Sequence, residues 1–196
     1  MEINDIQEEI EISVLDDDVC LKSFATGINA MDRFIQNDFW MSIKNHYCIA
    51  YSVKHRNELI ALFALSFDSL DLDVDDKDDL MSGMLPAGFL DMDKEYEETF
   101  LGKSHYPALD IAYLAVKESH RKKGMGRLLI DAISQKARSQ SFAGCLFLTV
   151  DAYVTKDYSA VGFYNRCGFT PSEIRNPNKD TLRMYLPLYS EDIIIE

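Results

Sequence analysis

The 196-residue sequence lacks the features that mark several special classes of protein. No apolar run approaches the roughly 20 residues that a membrane-spanning helix needs. The first residues, MEINDIQEEIEI, are acidic and lack the basic start of a secretory signal, so we expect a cytoplasmic protein without a membrane segment. The four cysteines show neither a C-x-x-C pair nor metal-ligand spacing, which predicts small buried thiols, no disulfide framework and no metal site. They are Cys20, Cys48, Cys145 and Cys167.

Two common phosphate-binding motifs are also missing. A Walker A loop needs a glycine, four further residues and then Gly-Lys-Ser/Thr, and this full motif does not occur. The dinucleotide fingerprint G-x-G-x-x-G fails because Leu129, and not glycine, lies three positions after Gly126. The aspartate-rich run DSLDLDVDDKDDL lacks the central glycine and terminal glutamate of an EF-hand, so we predict no calcium there.

What the sequence does contain is a strand, turn and helix pattern between Leu109 and Leu129. An apolar run to Val116 is rich in strand formers, and a basic bend with two glycines follows. An amphipathic helix is predicted from Arg127 to Arg138. Such a turn aims backbone N–H groups and the positive end of a helix dipole at an anion, which predicts a phosphate-binding loop. The alternative is a plain turn in which the glycines only permit the bend.

The net charge of −13 is unevenly distributed. Residues 2–18 hold eight acidic residues and no basic one, and residues 68–98 hold twelve acidic residues and two lysines. The remaining chain therefore carries +5, so the part with the phosphate loop is mildly basic. The acidic runs indicate either a solvated surface or a segment that repels nucleic acid and attracts a cationic substrate.

Upstream of the loop, alternation predicts a first strand over Glu9 to Leu15. A helix from about Ile28 to Met41, capped by Thr26 or Asn29, comes next. Two apolar runs joined by a tight turn at residues 55–58 predict a hairpin. Residues 68–106 are predicted to be an acidic insertion, part helix and part loop, in a single domain of residues 1–196.

Downstream of the loop, Cys145 to Val150 is predicted to be a strand parallel to the one that ends at Val116, because a β-α-β order forces a crossover. A short helix capped by Asp157 and a last strand over Thr181 to Leu188 complete the pattern.

Two motifs in this order carry a family resemblance. The first, V-x4-R-x-x-G-x-G, starts at Val116 and resembles the acetyl-CoA pyrophosphate loop of the GNAT N-acetyltransferases. The second, A-x-x-F-Y-x-x-x-G-F, starts at Ala160 and resembles the second signature of that family. The resemblance covers residues 107–188 closely and residues 10–67 loosely.

The resemblance implies an α/β fold with a mixed, mostly antiparallel sheet that splays between strands four and five, with flanking helices. Acetyl-CoA, the acetyl donor, is expected in the splay, and its pantetheine arm is expected to pair with the fourth strand. Its pyrophosphate is expected on the loop and helix start. The implied cofactor-binding residues are Leu114, Ala115, Val116, Arg121, Lys122, Lys123, Gly124, Met125, Gly126 and Arg127.

The chemistry implied is direct attack of a neutral amine on a thioester, after which the thiolate needs a proton. In the family, a tyrosine at the position of Tyr164 serves as the general acid. The alternative role for Tyr164 is packing alone. The base is open: Asp110, Asp151 and Tyr153 are candidates, and so is a chain of water molecules.

Three functions stay open at this point. The first is an acetyltransferase with an unknown amine acceptor. The second is acetylation of aminoacyl-tRNA, because YPALDIAYLAV, LTVDAY and FATGINAMDRFI resemble the toxin branch of the family. The acidic charge opposes a tRNA acceptor. The third is a module that binds acyl-CoA without catalysis. The resemblance also implies a homodimer and, for the toxin branch, an antitoxin partner.

Overall fold

A computed structural model describes residues 10–82, 93–174 and 180–188, which form seven strands and six α-helices. The strands are β1 (Ile10–Val14), β2 (Ile49–His55), β3 (Glu58–Asp71), β4 (His105–Val116), β5 (Phe147–Tyr153), β6 (Thr170–Pro171) and β7 (Thr181–Pro187). The helices are α1 (Asn29–Asn37), α2 (Phe39–Lys44), α3 (Val74–Ser82), α4 (Lys94–Leu101), α5 (Met125–Ser139) and α6 (Val161–Arg166). Short 3-10 helices cover Val19–Ser23 and Glu118–His120.

The strands form one mixed sheet in the order β1-β2-β3-β4-β5-β7-β6. Strands β4 and β5 are parallel, with a register of three residue pairs from Ala108↔Phe147 to Asp110↔Thr149. Both strands continue beyond that register, β4 to Val116 and β5 to Tyr153. Strands β5 and β7 pair antiparallel over the full length of both. The mixed, mostly antiparallel sheet with flanking helices confirms the predicted fold class.

The chain divides into two compact units, and strands β3 and β4 each contribute to both. The first unit comprises residues 1–66 and 111–131. Its core includes Phe24, Ile35, Phe39 and Leu62, all buried. Tyr113 of β4 stacks on Phe34 at 4.8 Å between ring centroids, so α1 packs against the end of that strand.

The second unit comprises residues 67–110 and 132–196. Its core contains a run of rings in contact, from Phe100 through Tyr106 and Phe147 to Tyr185, with centroids 4.5 to 6.0 Å apart. This run ties α4 to β4, β5 and β7. The prediction of a single domain stays a prediction.

Local chemistry explains the elements that the sequence predicted well. The tight turn is confirmed: Arg56 and Asn57 both have positive φ, of 49° and 66°, as a two-residue hairpin turn requires. The predicted crossover strand exists but starts at Phe147 and runs on to Tyr153. The predicted final strand ends at Pro187, which cannot donate a further ladder hydrogen bond.

Other predictions need correction. The helix from Ile28 to Met41 is two helices with a break at Asp38. Asp157 does not cap α6, whose N-cap residue is Ala160. The predicted insertion of residues 68–106 is too long at both ends, because β3 runs to Asp71 and β4 starts at His105. Residues 83–92, in the middle of that insertion, lie outside the described part of the chain. Over the residues described, no helix has the length and apolar character to span a membrane.

Candidate functional site

The predicted phosphate loop lies in the first unit, between β4 and α5. Helix α5 begins at Met125, two residues earlier than the sequence pattern predicted, and the Gly124 carbonyl accepts the first helical hydrogen bond, from the Leu128 N–H at 3.1 Å. The N–H groups of Met125, Gly126 and Arg127 therefore belong to the first turn, where helical N–H groups have no partner within the helix. These donors and the helix dipole favour an anion at this end.

The backbone of the loop takes left-handed conformations at two positions. Gly124 has a φ of +84°, a conformation that glycine adopts without strain and other residues avoid. Lys122 has a φ of +59°, which costs a residue with a side chain about 1 kcal/mol or more. Such strain marks a backbone path that the surrounding structure imposes. The glycine at 124 is thus required by the turn itself.

The basic side chains of the loop are mostly engaged within the protein. Arg121 Nη1 donates to the Thr26 carbonyl at 2.8 Å, and Lys123 Nζ donates to the Ser119 carbonyl at 2.7 Å. Arg127 lies 3.8 Å from Asp131 in an exposed pair one helical turn apart. The Lys122 side chain is exposed. The sequence predicted full charges aimed at a ligand, whereas the structure uses two of these side chains to brace the loop.

The strand that leads into the loop is anchored at its end. Lys117 donates its backbone N–H to the Ile60 carbonyl at 2.8 Å and its ammonium group to Glu58 at 2.7 Å. A hydrogen bond and the charge of Lys117 lower the pKa of Glu58. Of the residues predicted to line the pantetheine arm, Ala115 is buried, and Leu114 and Val116 are half-buried.

The second unit contains Tyr164, the predicted general acid. The residue lies in α6 with a relative exposure of 6%. Its ring makes edge contacts with Phe163 and Phe169, at 5.0 and 5.3 Å between centroids. Burial, and then the charges of Tyr158 and Asp110, raise the pKa of the Tyr164 phenol. The hydroxyl therefore keeps its proton at neutral pH.

Asp110 lies in a cluster of charged groups in the same unit, and strand register explains the cluster. Asp110 pairs with Thr149 across β4 and β5, and Asp151 pairs with Arg183 across β5 and β7. Thr149 and Asp151 are two residues apart and so share one face of β5. Asp68 of β3 completes the cluster.

One guanidinium group serves all three carboxylates of this cluster. Arg183 Nη1 lies 3.5 Å from Asp110 and 3.4 Å from Asp151, and its Nη2 donates to Asp68. The Thr149 hydroxyl contacts Asp68 at 2.5 Å and Asp110 at 3.3 Å. With every carboxylate ionised, the cluster would carry two uncompensated negative charges, which favours a proton on one of them.

Asp110 is the carboxylate of the cluster that gains and loses this proton near neutral pH. Burial raises its pKa to about 7, Arg183 opposes the shift, and Asp68 and Asp151 add to it. Only 17% of the Asp110 side chain is exposed, against 47% for Asp151. Within the described ranges, no group of His, Cys, Asp and Glu side chains is arranged to hold a metal ion.

The sequence located part of this chemistry and missed part. It named Asp110, Asp151 and Tyr153 as base candidates, and the structure brings the first two to one guanidinium group. Tyr153 instead contacts Tyr158, with ring centroids 6.3 Å apart. Asp68 was assigned to the insertion, and Arg183 was not singled out. Residues 66–71 show no alternation of apolar and polar residues, so no local signal places Asp68 on β3.

Comparison with known proteins finds one matching family model and several solved structures with a similar fold. Residues 80–171 match the family model described as acetyltransferase (GNAT) domain. No curated protein sequence matches this chain. A structure of AtaT complexed with acetyl-methionyl-tRNAfMet has 20% identity and a TM-score of 0.63, and the match covers 91% of this chain and 94% of that one. AtaTR bound with AcCoA has 19% identity and a TM-score of 0.62, with 92% and 95% covered.

A third similar structure is that of a tyrosine-to-phenylalanine mutant of the AtaT toxin, bound to the C-terminus of the antitoxin AtaR and acetyl-CoA. It has 16% identity and a TM-score of 0.57, and the match covers 92% of this chain and 94% of that one. At these identities the three likenesses establish a shared fold.

Proposed function

We propose that this chain, whose residues 80–171 match a model of the acetyltransferase (GNAT) domain, transfers an acetyl group from acetyl-CoA to a primary amine. The observation that carries this proposal is the turn before α5, where Gly124 has a φ of +84° directly ahead of the first-turn N–H groups of a helix. That geometry suits a pyrophosphate, the anionic group that joins the adenosine of the donor to its pantetheine arm. Residues Arg121–Arg127 are the proposed pyrophosphate loop, and Leu114–Val116 the proposed partner of the pantetheine arm.

The proposed reaction is a direct transfer. The neutral amine nitrogen attacks the thioester carbon and forms a C–N bond, and the carbonyl oxygen becomes an oxyanion. When the oxyanion collapses, the C–S bond breaks and coenzyme A leaves as a thiolate that takes up a proton. The nitrogen loses two protons in all, one from the ammonium before the attack and one after the C–N bond forms, and the departing sulfur gains one.

Tyr164 is the proposed donor to the departing sulfur. Burial raises the pKa of this phenol, so its proton is present at neutral pH and available to the departing sulfur. Asp110 is the proposed acceptor of the ammonium proton. It is supported by position: Thr149 and Arg183 hold its carboxylate, while Asp151 is more exposed and Tyr153 lies outside the cluster.

Replacing Tyr164 with Phe removes the phenol and keeps the ring contacts with Phe163 and Phe169. We expect kcat to fall about 100-fold or more, with the Kd for acetyl-CoA nearly unchanged. Steady-state kinetics and calorimetric titration measure the two effects. Tyr47→Phe, at an exposed tyrosine between α2 and β2, is the control and should keep wild-type turnover. Equal turnover in Tyr164→Phe would remove the assignment.

Two acceptor classes are proposed, with a small amine or polyamine first. The acidic charge of the chain supports this class, because a cationic amine is drawn to it. The second class is the α-amine of aminoacyl-tRNA, supported by the likeness to AtaT in complex with an acetylated tRNA. An amine next to an ester is more acidic than a lysine amine, whose pKa is about 10.4, so this acceptor depends less on a protein base.

The test is transfer of label from acetyl-CoA into total aminoacyl-tRNA, run beside a panel of polyamines and small amines. Label in the small amines supports the first class, and label in the tRNA fraction supports the second. Tight binding of acetyl-CoA with no transfer to any amine would contradict an enzyme and favour an acyl-CoA-binding module.

Partners and location remain part of the proposal. The AtaT toxin in complex with the C-terminus of the antitoxin AtaR supports a search for an antitoxin encoded beside this protein. A homodimer and a cytoplasmic location are proposed on the family resemblance. Size-exclusion chromatography with light scattering, run with and without a neighbouring gene product, tests both partners.

A further inference from the structure

The segment before α1 contacts the proposed pyrophosphate loop within the first unit. The Ala25 carbonyl accepts the Glu118 N–H at 3.0 Å, and the Thr26 carbonyl accepts Arg121 Nη1 at 2.8 Å. Gly27 has a φ of +78°, and a Cβ there would lie 2.7 Å from the Glu118 carboxyl carbon. The segment before α1 therefore contributes backbone carbonyls to this contact, and the start of the loop contributes the donors.

One carboxylate fixes the conformation of this segment. Asp32, in the first turn of α1, accepts the Thr26 N–H at 2.6 Å and the Thr26 hydroxyl at 2.7 Å. Its other oxygen accepts the Gly27 N–H at 3.3 Å. The Thr26 hydroxyl in turn accepts the Ile28 N–H at 3.1 Å. Hydrogen bonds to an ionised carboxylate are the stronger kind, and this carboxylate holds three.

Thr26 is therefore the link between helix α1 and the loop. It is 2% exposed, so water does not compete for its groups. Its N–H and hydroxyl are held by Asp32, which leaves its carbonyl pointing at Arg121. If the Asp32 contacts are lost, the carbonyl can turn away, and Arg121 then loses the acceptor that braces the start of the loop.

We infer that Asp32 and Thr26 are positioning residues for acetyl-CoA, acting through Arg121 on the loop that holds the pyrophosphate. The inference rests on the proposed function, because it needs the donor at this loop. It assigns a cofactor role to residues that lie about 90 positions from the loop in sequence. Arg121 then acts as a brace through its side chain, because its backbone N–H is donated to the Glu118 carbonyl at 3.2 Å.

The test compares two acetyl donors, of which only one carries the pyrophosphate. Acetyl-CoA carries the pyrophosphate and the phosphorylated adenosine, and acetyl-pantetheine carries neither. We expect Asp32→Ala to raise the KM and Kd for acetyl-CoA about tenfold, with kcat little changed. The KM for acetyl-pantetheine should stay at the wild-type value. A merely structural defect would weaken both donors or lower kcat.

Matched variants complete the design. Asp38→Ala removes an exposed carboxylate between α1 and α2 and should bind acetyl-CoA like the wild type. Thr26→Ser keeps the hydroxyl and should retain affinity, while Thr26→Val should reproduce Asp32→Ala. Asp32→Asn replaces the alanine variant if the latter does not fold, as judged by thermal denaturation.

Three results are decisive. If the wild type and the Asp32→Ala variant bind acetyl-CoA equally well, the inference is wrong and the proposed function still stands. Equal losses with both donors also overturn it. A wild type that does not bind acetyl-CoA in the calorimeter overturns the proposed function, and the inference with it.

Discussion

Asp110 shares one guanidinium group with two other carboxylates, so its own charge is poorly compensated. Asp110 lies on β4, and its three partners come from three other strands: Asp68 from β3, Asp151 from β5 and Arg183 from β7. The pKa of Asp110 is about 7, whereas an aspartate in an unfolded chain has a pKa of about 3.9. The folded protein therefore binds one more proton than the unfolded chain between these two values.

The consequence for stability has a definite sign. The protonated form of Asp110 is favoured by folding, so its contribution is full below about pH 4 and is lost as pH rises to about 7. Asp110→Asn mimics the protonated form at every pH. At pH 8 we expect the variant to be more stable than the wild type by on the order of 2 kcal/mol. At pH 4 the difference should be small.

Urea unfolding of both proteins from pH 4 to 8 measures this difference. Asp157→Asn, an exposed aspartate of the same unit, is the control and should follow the wild type. The same Asp110→Asn variant also tests the proposed base: the wild-type kcat/KM should rise with pH through about 7, and the variant should lack that rise. A stability difference that does not change with pH would contradict the argument.

At the scale of elements, a buried carboxylate attaches α3 to the sheet of the second unit. The helix, VDDKDDLMS, buries one apolar side chain, Leu80, so hydrophobic contact alone holds it weakly. Asp76 accepts the Tyr185 hydroxyl at 3.2 Å and the Glu173 N–H at 3.4 Å. Asp73 and Asp76 also bond each other's backbone N–H, a reciprocal cap at the helix start.

Asp76→Ala leaves the buried hydroxyl of Tyr185 without this acceptor and removes half of the reciprocal cap. We expect the free energy of unfolding to fall by about 3 kcal/mol. Asp78→Ala, on the exposed side of the same helix, should change it by less than about 0.5 kcal/mol. Denaturant titration measures both values. A loss in Asp76→Ala no larger than in the control would show that α3 is held by other contacts.

The elements also show what a sequence can predict. The Arg56–Asn57 turn and the glycine turn before α5 were predictable because each depends on residues a few positions apart. The extension of β3 to Asp71 was not, because aspartate opposes strand formation and only pairing within the sheet overrides it. The break at Asp38 and the cap at Ala160 were missed because both depend on tertiary packing.

The same limit applies to the candidate site. The residues predicted for the loop lie on one short segment, which joins β4 to α5, and their role in cofactor binding stays a prediction. The hydrogen-bond series Asp32–Thr26–Arg121 joins positions far apart in sequence, and no local sequence pattern predicts it. The contact of Arg183 with three aspartates requires the strand order, in particular the place of β7 beside β5.

At the scale of the whole molecule, the acidic excess is partly used inside the protein. Of the acidic residues between 68 and 98, Asp68 pairs with Arg183, Asp71 pairs with His105, and Asp76 is buried against Tyr185. These groups hold the fold and are not available to attract a distant cation. The exposed acids of α4 are a separate group, represented by Glu95 and Glu98.

These exposed acids provide a test of the acceptor class. Glu95→Gln combined with Glu98→Gln removes two negative charges and leaves the Asp93 cap of α4 intact. For a polyamine acceptor we expect kcat/KM to fall several-fold at low salt, because the attraction weakens. For aminoacyl-tRNA we expect it to rise by a similar factor, because repulsion of the phosphates weakens.

Both changes should shrink at about 0.5 M salt, where the Debye length is only a few ångströms. The neutral substitution Thr99→Ser, on the same helix, controls for effects of mutation that are independent of charge. An unchanged kcat/KM at low salt for both acceptors would mean that α4 lies far from the acceptor path. The acidic surface would then serve solubility, and acceptor choice would rest with the groups around Asp110 and Tyr164.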